Sequence, residues 1–470
     1  MKRRSFVKSA GALAAAFAGA SANAADAAAK PSKKKSVENP KLENLVFEVG
    51  KKYDVKIFVP ESSGEIESVE MMDYDKTSFT RPAKIEIEKR GACYVAKNLS
   101  FPKEDSYAFY IKYKGGESQP AKNLYRRKAD LFAYALEPDL FKLAPLNGDF
   151  HQHSTVSDGK LTPLQMAVMC VETNLDVHAL TDHRKREGSA QLMEEVKNLP
   201  IHLKSFYGEE VHSHGTVHVQ SLGAREGADN YIKEHKEEFE ALVEKNLKKM
   251  PENDRDEQAA RAMAAFDIVR KLGGVAGFNH PYWAPKASTF SSLHASTQDK
   301  LYRYGTFDYL EIVNGISVKV CGDDIISLSV SKYFETLAAG GAKRPILGCS
   351  DVHNLVDVAC GRTIVFAEND SFEAFAKAVR SGMCVAVDDT MRDVREQGKT
   401  GVPRIYGNST RLVKYAAFID RHFFTPRALL AKAEADAMRA AIETPSKENI
   451  AKLERRSREF MRYNAALRAK

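Results

Sequence analysis

Little in this chain is present in excess, and each scarcity removes a class of function. No run of about 20 apolar residues occurs, so no segment is long enough to span a bilayer as a helix. No Gly-x-Ser-x-Gly elbow is present and no cysteine sits in a nucleophile motif, so nothing supports a covalent mechanism. The six cysteines (Cys93, Cys170, Cys321, Cys349, Cys360 and Cys384) include no Cys-x-x-Cys pair. They permit many pairings, and Cys170 and Cys349, in apolar runs, read as buried free thiols. Charge is nearly balanced, with 70 Lys and Arg against 63 Asp and Glu, a net of +7. Setting aside Lys2, Arg3, Arg4 and Lys8, which lie in a candidate leader, leaves +3, too little to call for a nucleic-acid partner. Met391 to Lys470 carries 18 basic against 9 acidic residues, which reads as the solvated face of helices more readily than as a polymer-binding surface. No internal repeat is evident.

Against that background one stretch stands out: Gly148-Asp149-Phe150-His151-Gln152-His153-Ser154-Thr155-Val156-Ser157-Asp158-Gly159. On extended backbone, His151 and His153 point to one face, because strand side chains alternate. Two same-face imidazoles with a nearby carboxylate begin a divalent-metal site. Further clusters follow in order: Thr181-Asp182-His183; Gly208-Glu209-Glu210, with His218 downstream; Asn279-His280-Pro281; and Gly348-Cys349-Ser350-Asp351-Val352-His353. Each ends a short apolar run that reads as a buried strand: Val177 to Leu180, Leu203 to Tyr207, Val275 to Phe278, Pro345 to Leu347. Helical patterns over Pro163 to Asn174, Glu187 to Asn198 and Glu257 to Leu272 separate several of them, the last ending at Gly273-Gly274. Strands alternating with helices imply a parallel sheet or barrel, whose ligands gather at the carboxyl ends of the strands.

The order HxHSxxSDG, TDH, GxE with a downstream His, NHP and GxSDxH resembles the PHP (polymerase and histidinol phosphatase) superfamily, from about Leu146 to Asp388. The resemblance implies an α/β fold, a distorted (β/α)7 barrel with two or three divalent ions, and phosphoester hydrolysis. The ligands it implies are His151, His153, Asp158, His183, Glu210, His218, His280, Asp351 and His353. Its GxE spacing selects Glu210 over Glu209. Some three-metal members place a histidine where this chain has Asp158, which leaves the third position open.

Mixed imidazole and carboxylate ligands suit Mn, Fe or Zn. Ions so held would present a bridging hydroxide as nucleophile to a small anionic phosphoester. Arg184 and Arg362 are candidates to hold the anion, or else make ordinary ion pairs. His353 or His280 is a candidate to protonate the leaving oxygen. Alternatives on the same residues are a carboxylic ester or amide hydrolase, with Phe278, Tyr282 and Trp283 lining an acyl pocket unless they stack on a nucleobase or sugar, or a metal-dependent glycan- or polymer-binding protein without catalysis. Asp182 reads either as a ligand or as an orienting partner of His183. His178 reads as a core or surface residue; His212 and His214 form a His-x-His that could bind metal but reads more readily as an exposed loop; and His202, His235, His294 and His422 match no motif.

Lys2-Arg3-Arg4-Ser5-Phe6-Val7-Lys8 resembles a twin-arginine export signal, followed by an Ala-rich stretch and the cleavage-type site Ala22-Asn23-Ala24. Residues 1–24 are therefore expected to engage the twin-arginine machinery and be removed, leaving a periplasmic or secreted protein with no stable membrane anchor. Residues 25–39 read as a linker and 40–145 as a small β-sandwich, with alternating runs such as Tyr53 to Val59 and Tyr107 to Tyr113. The metallohydrolase region is 146–388, with a charged helical insertion at 224–256. The basic extension 389–470 is expected to be helical from about Pro426, with Thr425 as its N-cap, and either to cap the barrel or to make a dimer contact. Nothing in the pattern sets an oligomeric state.

Overall fold

The computed structural model describes residues 39–73, 82–115, 129–212, 215–283, 294–316, 324–355, 357–390 and 402–470. The expected export signal, His214 and Cys321 lie outside the described residues.

Alternating apolar residues build the first domain. Its strands are β1 (Lys41–Leu42), β2 (Val46–Glu48), β3 (Lys52–Phe58), β4 (Ile66–Asp73), β5 (Ala83–Ile85), β6 (Glu88–Arg90), β7 (Cys93–Ser100), β8 (Asp105–Tyr113) and β9 (Leu131–Leu136). They form two sheets, ordered β1-β3-β7-β6 and β2-β9-β8-β4-β5. In β3, Val55 and Ile57 point inward while their neighbours stay partly exposed. The facing sheets enclose Phe47, Phe101, Tyr107 and Phe109, all buried, which is the two-layer packing that period-two patterning demands.

The second domain comprises β10 (Ala144–Asp149), β11 (Val177–Ala179), β12 (Lys204–Phe206), β13 (Gly208–Val211), β14 (Val219–Leu222), β15 (Val275–Phe278), β16 (Tyr309–Asn314), β17 (Ile346–Cys349), β18 (Gly361–Ala367), β19 (Cys384–Asp388) and β20 (Arg404–Tyr406). These hydrogen-bond as two sheets, β12-β11-β10-β18-β19-β20 and β13-β14-β15-β16-β17. The strands β10, β11 and β12 are parallel, as are β15, β16 and β17. The expectation of a wholly parallel arrangement does not hold, because β14 runs antiparallel to both β13 and β15, and β18 antiparallel to β10. Between β13 and β14 lie only residues 212–218, too few for the crossover of a dozen or more residues that a parallel neighbour needs. Single parallel bridges link the sheets, Gln152 with Val352 just past β10 and β17, and His183, past β11, with Glu210 in β13.

The helix Pro163–Glu172 starts at a capping box in which Thr162 and Gln165 each satisfy the other's backbone N–H. His178, on β11, is a core residue: its Nδ1 lies 2.9 Å from Gln152 Oε1 and its Nε2 2.7 Å from Ser205 Oγ. Burial pushes its pKa down to about 3. The unfolded chain takes up this proton below its ordinary value of 6.5 and the folded chain does not, so stability is lost as pH falls from 6.5 towards 3. We expect the unfolding free energy to fall less steeply between pH 7 and pH 4 in His178→Asn, by up to about 3 kcal/mol. Urea titrations at several pH values check this, and identical slopes would refute it.

At the C-terminal end, Thr410–Ile419, the π-helical turn Asp420–Phe424 and Thr425–Glu443 follow without a break. Thr425 is therefore not an N-cap; its hydroxyl donates to the Asp420 carbonyl, 2.8 Å away, inside a continuing helix. The helix Thr425–Glu443 lies along Pro163–Glu172, with Ala435, Met438, Ala441 and Ile442 in the shared core. Arg427, wholly buried, is the polar rivet of this contact. It donates to both Asp176 carboxylate oxygens (2.7 and 2.9 Å), to Asn174 Oδ1 (2.8 Å) and to Asn464 Oδ1 (2.9 Å). The helix Lys447–Ala465 follows, and the Leu467 carbonyl then accepts the N–H groups of Leu45 and Val46 (3.0 and 2.9 Å) beside β2.

Candidate metal centre

All nine residues implied as ligands occur together; most follow the carboxyl ends of strands, while Glu210 lies within β13 and His218 just precedes the antiparallel β14. Glycine permits the two approaches that assemble them. A Cβ on Gly208 would lie 2.6 Å from the Leu180 carbonyl oxygen, so only glycine lets β13 bring Glu210 against His183. A Cβ on Gly159 would lie 2.1 Å from the His153 carbonyl oxygen, so the turn bearing Asp158 also needs glycine. Arg184, His280 and Asp351 have φ of +57°, +23° and +54°. Left-handed backbone at residues with a Cβ costs free energy that the surrounding structure must offset, and such residues gather at functional sites.

The donors fall into three groups. In the first, Asp351 Oδ1 lies 3.2 Å from His151 Nε2 and 3.0 Å from His153 Nε2, and Glu210 completes it at 3.3 and 3.5 Å from the same nitrogens. The second is a near-equilateral triangle: Glu210 Oε1 to His218 Nδ1 at 3.0 Å, to His280 Nε2 at 3.1 Å, and the two nitrogens 3.2 Å apart. In the third, Asp158 lies 3.4 Å from His353 Nε2 and 3.5 Å from His183 Nε2. Spacings of 3.0–3.5 Å are those of ligands sharing a cation at about 2.0–2.2 Å. His151 Nε2 and both ring nitrogens of His153 are buried and make no hydrogen bond among the described residues. Buried orphans of this kind are rare unless something else is bound, and the residues fit divalent metal.

Electrostatics agree. Burial opposes ionisation of Glu210, but His151 and His218 outweigh it and hold its pKa well below the usual carboxylate range. Burial opposes charge on His151, but Asp351, Glu210 and Glu311 outweigh it and hold that imidazole well above its ordinary value. Protons on the imidazoles thus neutralise the buried carboxylates, and a cation would take their place.

Several residues differ from expectation. His212, in the loop just after β13, belongs to the cluster, with its Nε2 2.7 Å from His183 Nδ1 and its ring stacked on His218. Period two gave the clue, because His212 shares a face with Glu210. Asp182 neither faces a donor group nor orients His183. It accepts from the Ser154 N–H (2.7 Å), the Ser154 hydroxyl (2.8 Å) and the Ser157 hydroxyl (2.7 Å), bracing the loop that carries Asp158. Arg362 is buried, and its guanidinium is taken by Asp389 (2.7 Å), Asn147 (2.9 Å) and Asp420, so it holds the C-terminal segment to β10 and β18 rather than an anion. Arg184 is exposed beside the donors and lines a cleft of about 330 Å³ with His212, His218, His280, Tyr282 and Trp283. The described lining of this cleft takes nothing from the insertion 224–256.

Three residues that hold the donors were missed. Glu311 on β16 lies 3.0 Å from His151 Nδ1 and accepts the His280 N–H at 2.6 Å. Asn279 donates to Glu210 Oε1 at 2.8 Å, and Asn314 to Asp351 Oδ2 at 3.2 Å. His353 is oriented by the Asp351 carbonyl, 2.8 Å from its Nδ1. Outer partners of this type fix the tautomer and angle of a ligand. Glu311→Gln should lower metal affinity by about 10–100-fold, as measured by competition with a chromogenic chelator; unchanged affinity would show that Glu311 orients nothing.

The fold and the side chains define a mixed α/β protein whose buried His/carboxylate centre fits divalent cations. No family model and no curated protein matches the chain. Among solved structures, similarity is found to a two-domain protein from Bacteroides vulgatus containing a predicted PHP-like metal-dependent phosphoesterase, at 18% identity over 57% of this chain and 78% of that one, TM-score 0.36. An amidohydrolase from Chromobacterium violaceum is 16% identical over 44% and 88% of the two chains, TM-score 0.29. A lesion-specific endonuclease from Pyrococcus furiosus is 15% identical over 67% and 83%, TM-score 0.31. Overlap this partial carries no functional argument, which rests on the side chains themselves.

Proposed function

We propose that the chain is a metal-dependent hydrolase, and more finely a phosphoesterase with two or three Mn, Fe or Zn ions on a distorted (β/α)7 barrel of the PHP type. The two single bridges between the sheets support the barrel reading. The observation that carries the function is Glu210: a fully buried carboxylate with His151, His183, His218 and His280 all within 3.3 Å of its oxygens. A carboxylate facing several donor groups at once is suited to bridge cations. Ions held there supply Lewis acidity and lower the pKa of water towards neutrality. The protein's own residues then bind and orient the substrate. Arg184 presents an exposed guanidinium to an anionic phosphoryl group at the cleft. His353 has Nδ1 spent on the Asp351 carbonyl, so its Nε2 serves either a cation or the leaving oxygen, not both.

A second reading, carboxylic ester or amide hydrolysis, is favoured by the aromatic flank of Tyr282 and Trp283. Elemental analysis of the purified protein, with a Mn-supplemented panel of phosphomonoesters, phosphodiesters and carboxylic esters, separates the readings. Two or three metal equivalents with phosphoester turnover supports the first, and metal with carboxylic-ester turnover alone the second. Metal with no turnover of any ester favours the metal-dependent binding protein, and no metal with no turnover removes the hydrolase readings. We further infer twin-arginine export from residues 1–24, ending in the bacterial periplasm or outside; a reporter fused to these residues should be retained inside once Arg3 and Arg4 become lysine.

A further inference from the structure

The cleft over the second donor group has an unlike lining: the cation Arg184 with His212 and His218, and the aromatic side chains Tyr282 and Trp283. Trp283 is the single tryptophan of the chain, is partly buried, and has its ring centroid 6.3 Å from that of His280, itself a member of the donor triangle. The backbone there is held in place: Tyr282 adopts φ +66°, and its N–H donates to Gln298 Oε1 at 2.6 Å. The Trp283 backbone N–H donates to the His280 carbonyl at 3.2 Å, which ties the main chain that bears the indole to the donor-bearing segment. A cavity of about 330 Å³ is at the small end of ligand sites and holds a phosphoryl group and one ring rather than an extended chain.

We propose that this site takes phosphate monoesters whose alcohol carries an aromatic ring, with the phosphoryl group between Arg184 and the His218–His280 side and the ring stacked on Trp283. The proposal rests on the phosphoesterase reading and sharpens it. A guanidinium recognises the anion and not the alcohol. An indole face recognises a planar ring and is indifferent to an alkyl alcohol of the same charge. Selectivity for the alcohol therefore falls to Trp283.

Phenylphosphonate and methylphosphonate, which cannot be hydrolysed, remove leaving-group reactivity from the comparison. Titrated calorimetrically into the zinc-loaded full chain, phenylphosphonate should bind at least tenfold more tightly, about 1.4 kcal/mol, and should shift the emission of the lone tryptophan. Trp283→Leu should abolish the preference and keep the methylphosphonate affinity, whereas Arg184→Gln should weaken both probes alike. Equal binding of the two probes to the unaltered protein overturns the proposal and leaves the phosphoesterase reading standing. Loss of both probes in Trp283→Leu, with metal retained, also overturns it, because the indole would then be structural. Binding of neither probe to zinc-loaded protein overturns the proposal and the phosphoesterase reading together.

Discussion

Glu210→Gln is expected to lose at least one equivalent of bound metal and to lower turnover by on the order of 10³-fold, the scale of removing one electrostatic element from an active centre. Glutamine keeps the shape of glutamate, so the argument is about charge and lone pairs. Glu210 Oε1 faces His151, His218 and His280 at 3.3, 3.0 and 3.1 Å, and Oε2 faces His183 at 2.7 Å and His153 at 3.5 Å. An amide would aim two N–H donors at nitrogens that must themselves stay free to bind metal. It would also remove the negative charge that the first two donor groups share. The same substitution should leave secondary structure unchanged by circular dichroism, because the side chain fills no part of the apolar clusters. Full metal content with wild-type turnover would show that Glu210 is not a shared ligand.

The second large effect is expected far from that centre. Arg427→Met should destabilise the protein by about 3–5 kcal/mol, the cost of stripping one partner from a buried ion pair. Methionine replaces most of the volume among Phe423, Phe424 and Phe460, whose rings lie 4.5–5.4 Å from the guanidinium carbon. It leaves Asp176, itself 6% exposed, without the guanidinium that contacts both its oxygens. Asp176→Asn in the same chain should recover part of the loss, because an uncharged amide is cheaper to bury unpaired. Urea unfolding of the single and double variants measures both. An Arg427→Met protein as stable as wild type would assign the contact to apolar packing alone.

Legibility in the sequence followed the distance over which each signal acts. The donor residues could be read because they sit in short local motifs whose order resembles that of a known superfamily, several of them just past an apolar run. The GxE resemblance selects Glu210; Glu209, its neighbour on the strand, points the other way and accepts the N–H groups of Ala228 and Asp229. Burial and the nearby Asp229 carboxylate push the Glu209 pKa up to about 7. Glu311 was not legible: a lone acid in the run Tyr309 to Asn314 belongs to no motif, and the histidine it faces is 160 residues away. Only the placing of β16 between β15 and β17 brings them together. Arg362 misled for the same reason. A cation beside a glycine resembles an anion holder until Asp389 and Asp420, from separate segments, close around it. Thr425-Pro426 reads as a helix start because proline suits a first turn, and nothing nearby reveals that Thr410–Ile419 already leads into it.

The pairing of Leu467 with Leu45 and Val46 sets an order of assembly. The edge of the sheet β2-β9-β8-β4-β5 is completed by a segment made more than 400 residues after β2. Until then β2 offers open N–H groups, and the early domain waits, partly finished, for the last helices to fold back across it. Contacts of such long sequence separation slow folding and lengthen the time for which a strand edge is open to wrong partners.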